Sequence, residues 1–313
     1  MSRLRIPLLL LPLFAVLALT GCADREPEGE TASSAQGQFP VELHPEGGKA
    51  VTIEQRPERI VSLSPSTTET LFAVGAGDQV VAVDSFSNYP EDAPTTSLSG
   101  INADPQAIAS HNPDLVIVES DLDDKLGDAL AKTGTQTLVL SAPSTLEQAY
   151  EQFRLVGKAT GHADEGADLA TRTKEEIDKL AADAPETSGS LTYYHELDPT
   201  FYSVTSATFI GQIYDLFGLT NIADQDDPNA LGGYPQLSAA HVVQSNPDLI
   251  FLADTNCCGQ NADTVAARPG WDTITAVKEN RVHAMDDDIA SRWSPRIVDL
   301  VRTVSDAVAA AGR

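Results

Sequence analysis

The residues best equipped for chemistry in this chain are few and cluster toward its C-terminal end. Arg292, Trp293 and Arg296 set two guanidinium groups beside an indole. Guanidinium N–H groups fork onto oxygen acceptors and aromatic faces stack on flat molecules, so the cluster suits a planar, oxygen-rich ligand. Arg296 reads equally well as a structural residue at a helix start. Tyr193, Tyr194 and His195 end an apolar run and are candidates for a binding wall, although either tyrosine could face a core. Cys257 and Cys258 follow another apolar run, which puts them in a loop at a strand end. Thiols outside the cytoplasm tend to oxidise, yet adjacent cysteines fit the usual bridge geometry poorly. A vicinal bridge and two free or intermolecularly paired thiols both stay open.

The chemistry that is missing narrows the field further. There is no Gly-x-Ser-x-Gly elbow, no His-Glu-x-x-His and no Cys-x-x-Cys, so neither a hydrolase nor a redox enzyme is indicated. Gly75-Ala76-Gly77 follows a helical stretch instead of a strand and is no dinucleotide fingerprint. The histidines at 44, 111, 162, 195, 241 and 283 show no short-range pairing, which disfavours capture of a bare divalent metal. No resident cofactor is implied.

With 313 residues, of which 42% are hydrophobic, the chain can build two cores. Its formal charge of -26 offers no basic stripe for phosphates, so nucleic acid is excluded as a partner; solubility is the plain role of that charge. Arg3 and Arg5 precede an apolar run from Ile6 to Leu19 that is short and broken by proline, as in a secretory signal over residues 1–21. That run ends in Leu19-Thr20-Gly21-Cys22, which resembles the bacterial lipobox and implies cleavage before Cys22 and its lipidation. The polar residues 22–38 then form a flexible tether, and the domain sits on the outer face of the cell membrane.

The elements that position the chemical residues follow from periodicity. Phe39–Leu43 and Lys49–Ile53 read as a hairpin, a lid or edge element. Ile60–Leu63, Val80–Val83, Leu115–Val118 and Thr137–Leu140 read as buried strands alternating with helices, hence parallel β-α-β units in a first lobe over residues 39–143. Ser144 and Glu147 form a capping box that opens a connector over 144–185: a helix ending at Gly161, then a mostly polar helix from Ala163 to Asp183. Roughly 20 residues at 1.5 Å each span about 30 Å, the length of a strut between two bodies. Asp168/Arg172 and Glu175/Lys179 pair at helical spacing along it. A second lobe over 186–313 repeats the pattern. Asn246-Pro247-Asp248-Leu249 matches Asn112-Pro113-Asp114-Leu115, the helix caps Ser238 and Asp104 stand at matching distances upstream, and Gly218 matches Gly75. Two similar α/β lobes with a cleft at their strand ends are therefore predicted.

Arg59-Ile60-Val61-Ser62-Leu63-Ser64-Pro65-Ser66 with Thr68-Glu69 and Gly75 resembles the start of the Fe/B12 periplasmic-binding domain family. The two Asn-Pro-Asp-Leu words, Phe209-Ile210-Gly211 leading to Gly218 and Asn221, and Ser294-Pro295-Arg296 resemble it in the same order. The resemblance covers nearly everything after Arg59. It implies two Rossmann-like lobes joined by a long rigid helix, and a monomer that captures a ferric siderophore, haem or cobalamin for an ABC permease and its ATPase. It also implies that Glu69, on the first helix of lobe one, docks onto permease arginines. Aligning Gly75 with Gly218 puts Gln212 opposite Glu69, so the second contact is a neutral hydrogen bond or moves to Asp215. Tyr89 matches a ligand-clamping loop of cobalamin-binding relatives, and Asp288 and Arg292 match polar contacts near the C-terminus. The tryptophans of those relatives do not appear, which places a ferric siderophore first and cobalamin or haem second. The expected ligand-binding set is thus Tyr89, His195, Asp288, Arg292, Trp293 and Arg296.

Overall fold

The computed structural model describes residues 39–185, 191–224 and 230–312. The signal segment, Cys22 and the tether lie outside the described residues. Lobe 1 contains the strands β1 (Val41–Leu43), β2 (Val51–Ile53), β3 (Ile60–Leu63), β4 (Val80–Val83), β5 (Leu115–Val118) and β6 (Gln136–Val139), with helices α1 (Pro65–Ala73), α2 (Pro105–Ala109) and α3 (Lys125–Ala131). The connector is α4 (Leu146–Thr160) and α5 (Ala163–Asp183). Lobe 2 contains β7 (Thr192–Glu196), β8 (Thr220–Asn221), β9 (Leu249–Leu252) and β10 (Val282–Ala284). Its helices are α6 (Phe209–Asp215), α7 (Ala239–Ser245), α8 (Thr255–Cys258), α9 (Ala262–Ala266), α10 (Thr275–Lys278), α11 (Asp287–Ser291) and α12 (Ile297–Ala311).

Each lobe has a four-stranded parallel sheet, in the orders β4-β3-β5-β6 and β8-β7-β9-β10. In both sheets, the second strand in chain order lies outside the first, and the third and fourth follow on the other side, so the repeat seen in sequence is a repeat of topology. The Asn-Pro-Asp words do the same work twice. Asn112 and Asn246 take the left-handed conformation, at φ of 49° and 48°. Asp114 then accepts the N–H groups of Glu58 and Arg59 before β3, and Asp248 accepts the N–H and hydroxyl of Thr192 at the start of β7. Short polar residues tolerate that turn and satisfy the strand-end amides.

Strands buried on both faces read as continuous apolar runs, and β3, β5 and β9 are buried at every residue. Alternate residues point to different cores. Ile60, Leu115 and Ile117 of lobe 1 join Tyr193, Leu249 and Phe251 of lobe 2 in one cluster with α4, α5 and α12. Val61, Val116 and Val118 face α2 and α3, while Tyr194, Ile250 and Leu252 face Val242 and Trp271. The connector is therefore part of a core shared by both lobes.

Several local expectations shift by a residue or more. The capping box at α4 is built by Thr145 and Gln148, because the Thr145 hydroxyl accepts the Gln148 N–H while the Gln148 side chain accepts the Thr145 N–H. Gly161 ends α4 in the left-handed conformation as expected. Along α5 the buried face is Gly166, Leu169, Ala170, Thr173 and Ile177. Its i,i+4 ion pair is Lys174 with Asp178, Glu176 pairs with Arg302 of α12, and Arg172 donates to the Asp168 carbonyl instead of its carboxylate. The β1–β2 hairpin is no lid: Leu43 and Ile53 are buried in the shared core.

Candidate functional site

In parallel sheets, ligands bind beyond the carboxyl ends of the strands. On lobe 1 those ends surround a cavity of about 780 Å³, bounded by the loops after β3, β4 and β5. Its apolar wall is Phe86, Ile101 and Leu122, at 62%, 83% and 81% exposure. Large apolar side chains left open together mark a binding surface. Between them lie Asp84, Glu119 and Asp121, opposed in the cavity wall by Lys125, which pairs with Asp123 outside it. Burial and the neighbouring Asp84 charge hold Glu119 above the usual carboxylate range. Asp121 is tied down by the N–H groups of Leu126 and Gly127 at the start of α3. Gly100 lets its loop cross directly over β3, since a Cβ there would lie 2.4 Å from the Leu63 carbonyl oxygen.

The corresponding edge of lobe 2 carries exposed Tyr202, Leu231 and Tyr234 in the segment after β7. Behind them is a buried polar cluster. Glu196, ending β7, takes two N–H groups of Arg268, each at 2.6 Å, and Arg268 lies over the Trp271 ring at 4.5 Å. Asp254, just past β9, is fully buried, and neither of its oxygens accepts a hydrogen bond among the described residues. Burial first, and then the Glu196 charge, push Asp254 up to about 7.

The lobes meet at a network built on Glu69. Glu69 is 3% exposed, and its carboxylate accepts Arg292 Nη1 at 2.8 Å and Arg296 Nε at 2.8 Å. Arg292 also donates to Asn88 Oδ1 at 2.9 Å, the Phe86 carbonyl at 3.0 Å and Asp288 Oδ1 at 2.6 Å. Asn88 closes the ring by donating to Asp288 Oδ2 at 2.7 Å. Burial alone would raise Glu69, but the hydrogen bonds from Arg296, Ser294 and Arg292 leave it below the usual carboxylate range. Arg296 in turn lies over the Tyr89 ring at 4.2 Å, at the edge of a separate cavity of about 340 Å³.

The expected site residues thus sort into different places. Tyr89, Asp288, Arg292 and Arg296 come together, but with one another and Glu69, so the Arg292 guanidinium is buried and that of Arg296, at the edge of the smaller cavity, is paired within the chain. Glu69 is not on an open docking face; two arginines cover it because a buried carboxylate needs compensating charge. His195 is not a cleft wall. It is fully buried in β7, its Nδ1 lies 2.7 Å from the Tyr214 hydroxyl, and burial pushes it down to about 3. Tyr193 and Tyr194 are core residues. Trp293 is half-buried against the shared core. Gln212 donates its amide to the Ser144 carbonyl, tying α6 to the connector, and Asp215 is exposed. Sequence reasoning missed Phe86, Ile101, Leu122, Tyr202 and Tyr234. The signal was present: Phe86 stands between two serines, Ile101 between Gly and Asn, and Leu122 between two aspartates, each in a loop that follows a strand.

Among the described residues, no group of three or more His, Cys, Asp or Glu side chains could hold a metal ion. No helix among them is long and apolar enough to cross a membrane. The family model described as periplasmic binding protein matches residues 60–289. The chain is 27% identical over 305 residues to the uncharacterised ABC transporter substrate-binding lipoprotein YvrC of Bacillus subtilis, covering 95% of this chain and 94% of that one. It is also 27% identical over 305 residues to a cobalamin-binding protein of Halobacterium salinarum, covering 93% and 80%. Among solved structures, a possible iron-binding periplasmic solute-binding protein of Staphylococcus epidermidis superposes with a TM-score of 0.69 at 23% identity, over 81% of this chain and 99% of that one.

Proposed function

This chain belongs to the periplasmic binding protein family, whose members are solute-binding components of transport and not enzymes, and from that premise we propose that it captures a corrinoid of the cobalamin type between its lobes. The observation that carries this reading is the charge and polarity of the lobe 1 cavity. Phe86, Ile101 and Leu122 offer apolar contact, and Asp84 and Glu119 offer acceptors, whereas Arg292 and Arg296 are paired with Glu69. Cobalamin matches such a wall, because its rim carries amide N–H donors and methyl groups and needs no guanidinium partner. The relative named as cobalamin-binding supports the same choice. The ferric siderophore expected from the sequence needs guanidinium groups that are open to it. With them paired internally, an anionic chelate meets Lys125 against Asp84, Glu119 and Asp121 here, and the propionates of haem meet the same predominantly acidic wall. An uncharged hydroxamate chelate is the rival that remains.

The loaded protein delivers its ligand to an ABC permease and its ATPase, held at the membrane through a lipid on Cys22. Exposed groups such as Asp215 meet the permease, since Glu69 and Gln212 are engaged within the chain. The test is titration of the purified protein with cyanocobalamin, uncharged and anionic ferric siderophores, ferric citrate and haemin, read by calorimetry. Cyanocobalamin is expected to bind tightest, and Glu119→Lys to weaken it. A preference for an anionic chelate or haemin would overturn the reading.

A further inference from the structure

Cys257 and Cys258 are bonded to each other at the end of α8, which follows β9 directly. β9 lies inside the second sheet, between β10 and β7, so its carboxyl end opens at the middle of that sheet's edge. Both cysteines are exposed. Asp287 fixes where they sit: its carboxylate accepts the N–H groups of Thr255 at 2.7 Å, Asn256 at 3.0 Å and Cys257 at 2.7 Å. The next residue, Asp288, bonds to Asn88 of lobe 1 and to Arg292. The disulfide is therefore pinned to α11, the short helix that reaches across to lobe 1, and stands beyond the carboxyl end of β9, the strand end at which open α/β sheets bind ligands.

Oxidised, the pair is a closed ring without S–H donors, and its sulfurs are polarisable and uncharged. Reduced, it becomes two separate thiols on rotatable side chains, each a weak donor. Sulfur makes favourable contacts with conjugated faces, and a ring closed between neighbouring residues presents both sulfurs in one fixed place. The exposed Tyr202 and Tyr234 of the same lobe lie on a separate segment, after β7.

We propose that the Cys257–Cys258 disulfide is a ligand contact of the lobe 2 wall, seating a conjugated face of the bound molecule, and that its reduction to two thiols weakens binding. The proposal rests on the corrinoid reading above. Reduction by a small dithiol breaks the S–S bond, delivers two electrons and two protons to the cysteine sulfurs, and leaves the dithiol as its own cyclic disulfide. Oxidised glutathione reverses the change, taking up the two electrons and two protons as two molecules of glutathione.

The experiment uses the full chain purified without reductant. Alkylation and intact mass should find Cys257 and Cys258 unreactive until dithiothreitol is added. Cyanocobalamin affinity is then measured by calorimetry on the oxidised protein, on reduced protein freed of dithiothreitol under argon, and after reoxidation with oxidised glutathione. Reduction should weaken binding about two- to tenfold, the size of a sulfur–aromatic contact, and reoxidation should restore it. The double variant Cys257→Ser with Cys258→Ser should match the reduced protein, and saturating cyanocobalamin should slow reduction. Reactive thiols in untreated protein, or equal affinities with an unchanged reduction rate, would overturn the proposal while leaving the corrinoid reading intact. Failure of the oxidised protein to bind cyanocobalamin overturns both, and the mass measurement still reports the disulfide separately.

Discussion

Asp254 shows how one residue can carry a pH dependence that its surroundings impose. Its carboxyl is fully buried beside Glu196, which already takes both arms of the Arg268 fork. A second negative charge there has no donor to meet it, so burial and then Glu196 push Asp254 from 3.8 up to about 7. A carboxyl raised in the folded state favours folding while protonated. Its contribution is full below the unfolded value and is lost as pH rises through about 7. Asp254→Asn keeps the shape and removes the titration. Urea midpoints at pH 5 and pH 8 should therefore show the variant gaining on the wild type as pH rises; parallel pH slopes would show that Asp254 does not titrate in this range. Glu119, held above its ordinary value in the lobe 1 cavity, follows the same rule with an open surface in place of a buried pair.

At the scale of elements, the connector is rigid because α4 and α5 touch backbone to backbone. A Cβ on Gly166 would lie 2.7 Å from the Phe153 carbonyl oxygen and 3.0 Å from the Gly157 Cα. Neither atom is the flexible end of a side chain, so the helices would have to separate. Replacing glycine by alanine inside a helix ordinarily gains about 1 kcal/mol of propensity, whereas overpacking a fitted contact costs about 1–3 kcal/mol. The clash is with backbone, so overpacking should win. Gly166→Ala is expected to lower stability by about 1–2 kcal/mol in urea denaturation; a stabilised variant would mean that the helices part without cost. The same contact makes α5 a strut, since its buried face joins the core that both sheets share.

For the whole molecule, Glu69 is the pivot between lobes. Its side chain and that of Arg292 are 2% and 7% exposed, and residues 223 apart in sequence meet at 2.8 Å. Removing one member of a buried ionic group leaves the others uncompensated and costs about 3–5 kcal/mol. Glu69→Ala should lose stability of that order in denaturant, because two arginines would remain without their carboxylate. The carboxylate's pKa is lowered, so its contribution is present above the ordinary value of 4.5 and vanishes as pH falls through the depressed one. The difference between wild type and variant should therefore shrink only in acid. A variant as stable as the wild type at neutral pH would show that the network does not hold the lobes. The surrounding charge of -26 sharpens the point: the chain uses two of its twenty basic residues on one internal carboxylate.

By itself the sequence determined the two-lobed α/β architecture, its parallel strands and its duplicated order, because apolar runs, glycine stops and Asn-Pro-Asp turns act over a few neighbouring residues. The left-handed Asn112 and Asn246 and the end of α4 at Gly161 were legible for that reason. Even the capping box was legible in kind, although Thr145 and Gln148 take it instead of Ser144 and Glu147, since a slip of one residue changes little in local pattern. Tertiary structure alone decided what each charged or aromatic side chain meets. Arg292 and Arg296 look like ligand donors until Glu69 is found beside them, and His195 looks like a wall until β7 is seen to bury it. Nothing in chain spacing encodes such partners. A charge in a protein interior is satisfied by whichever opposite group the fold brings within about 3 Å, and only the packing of the two lobes brings Glu69 there.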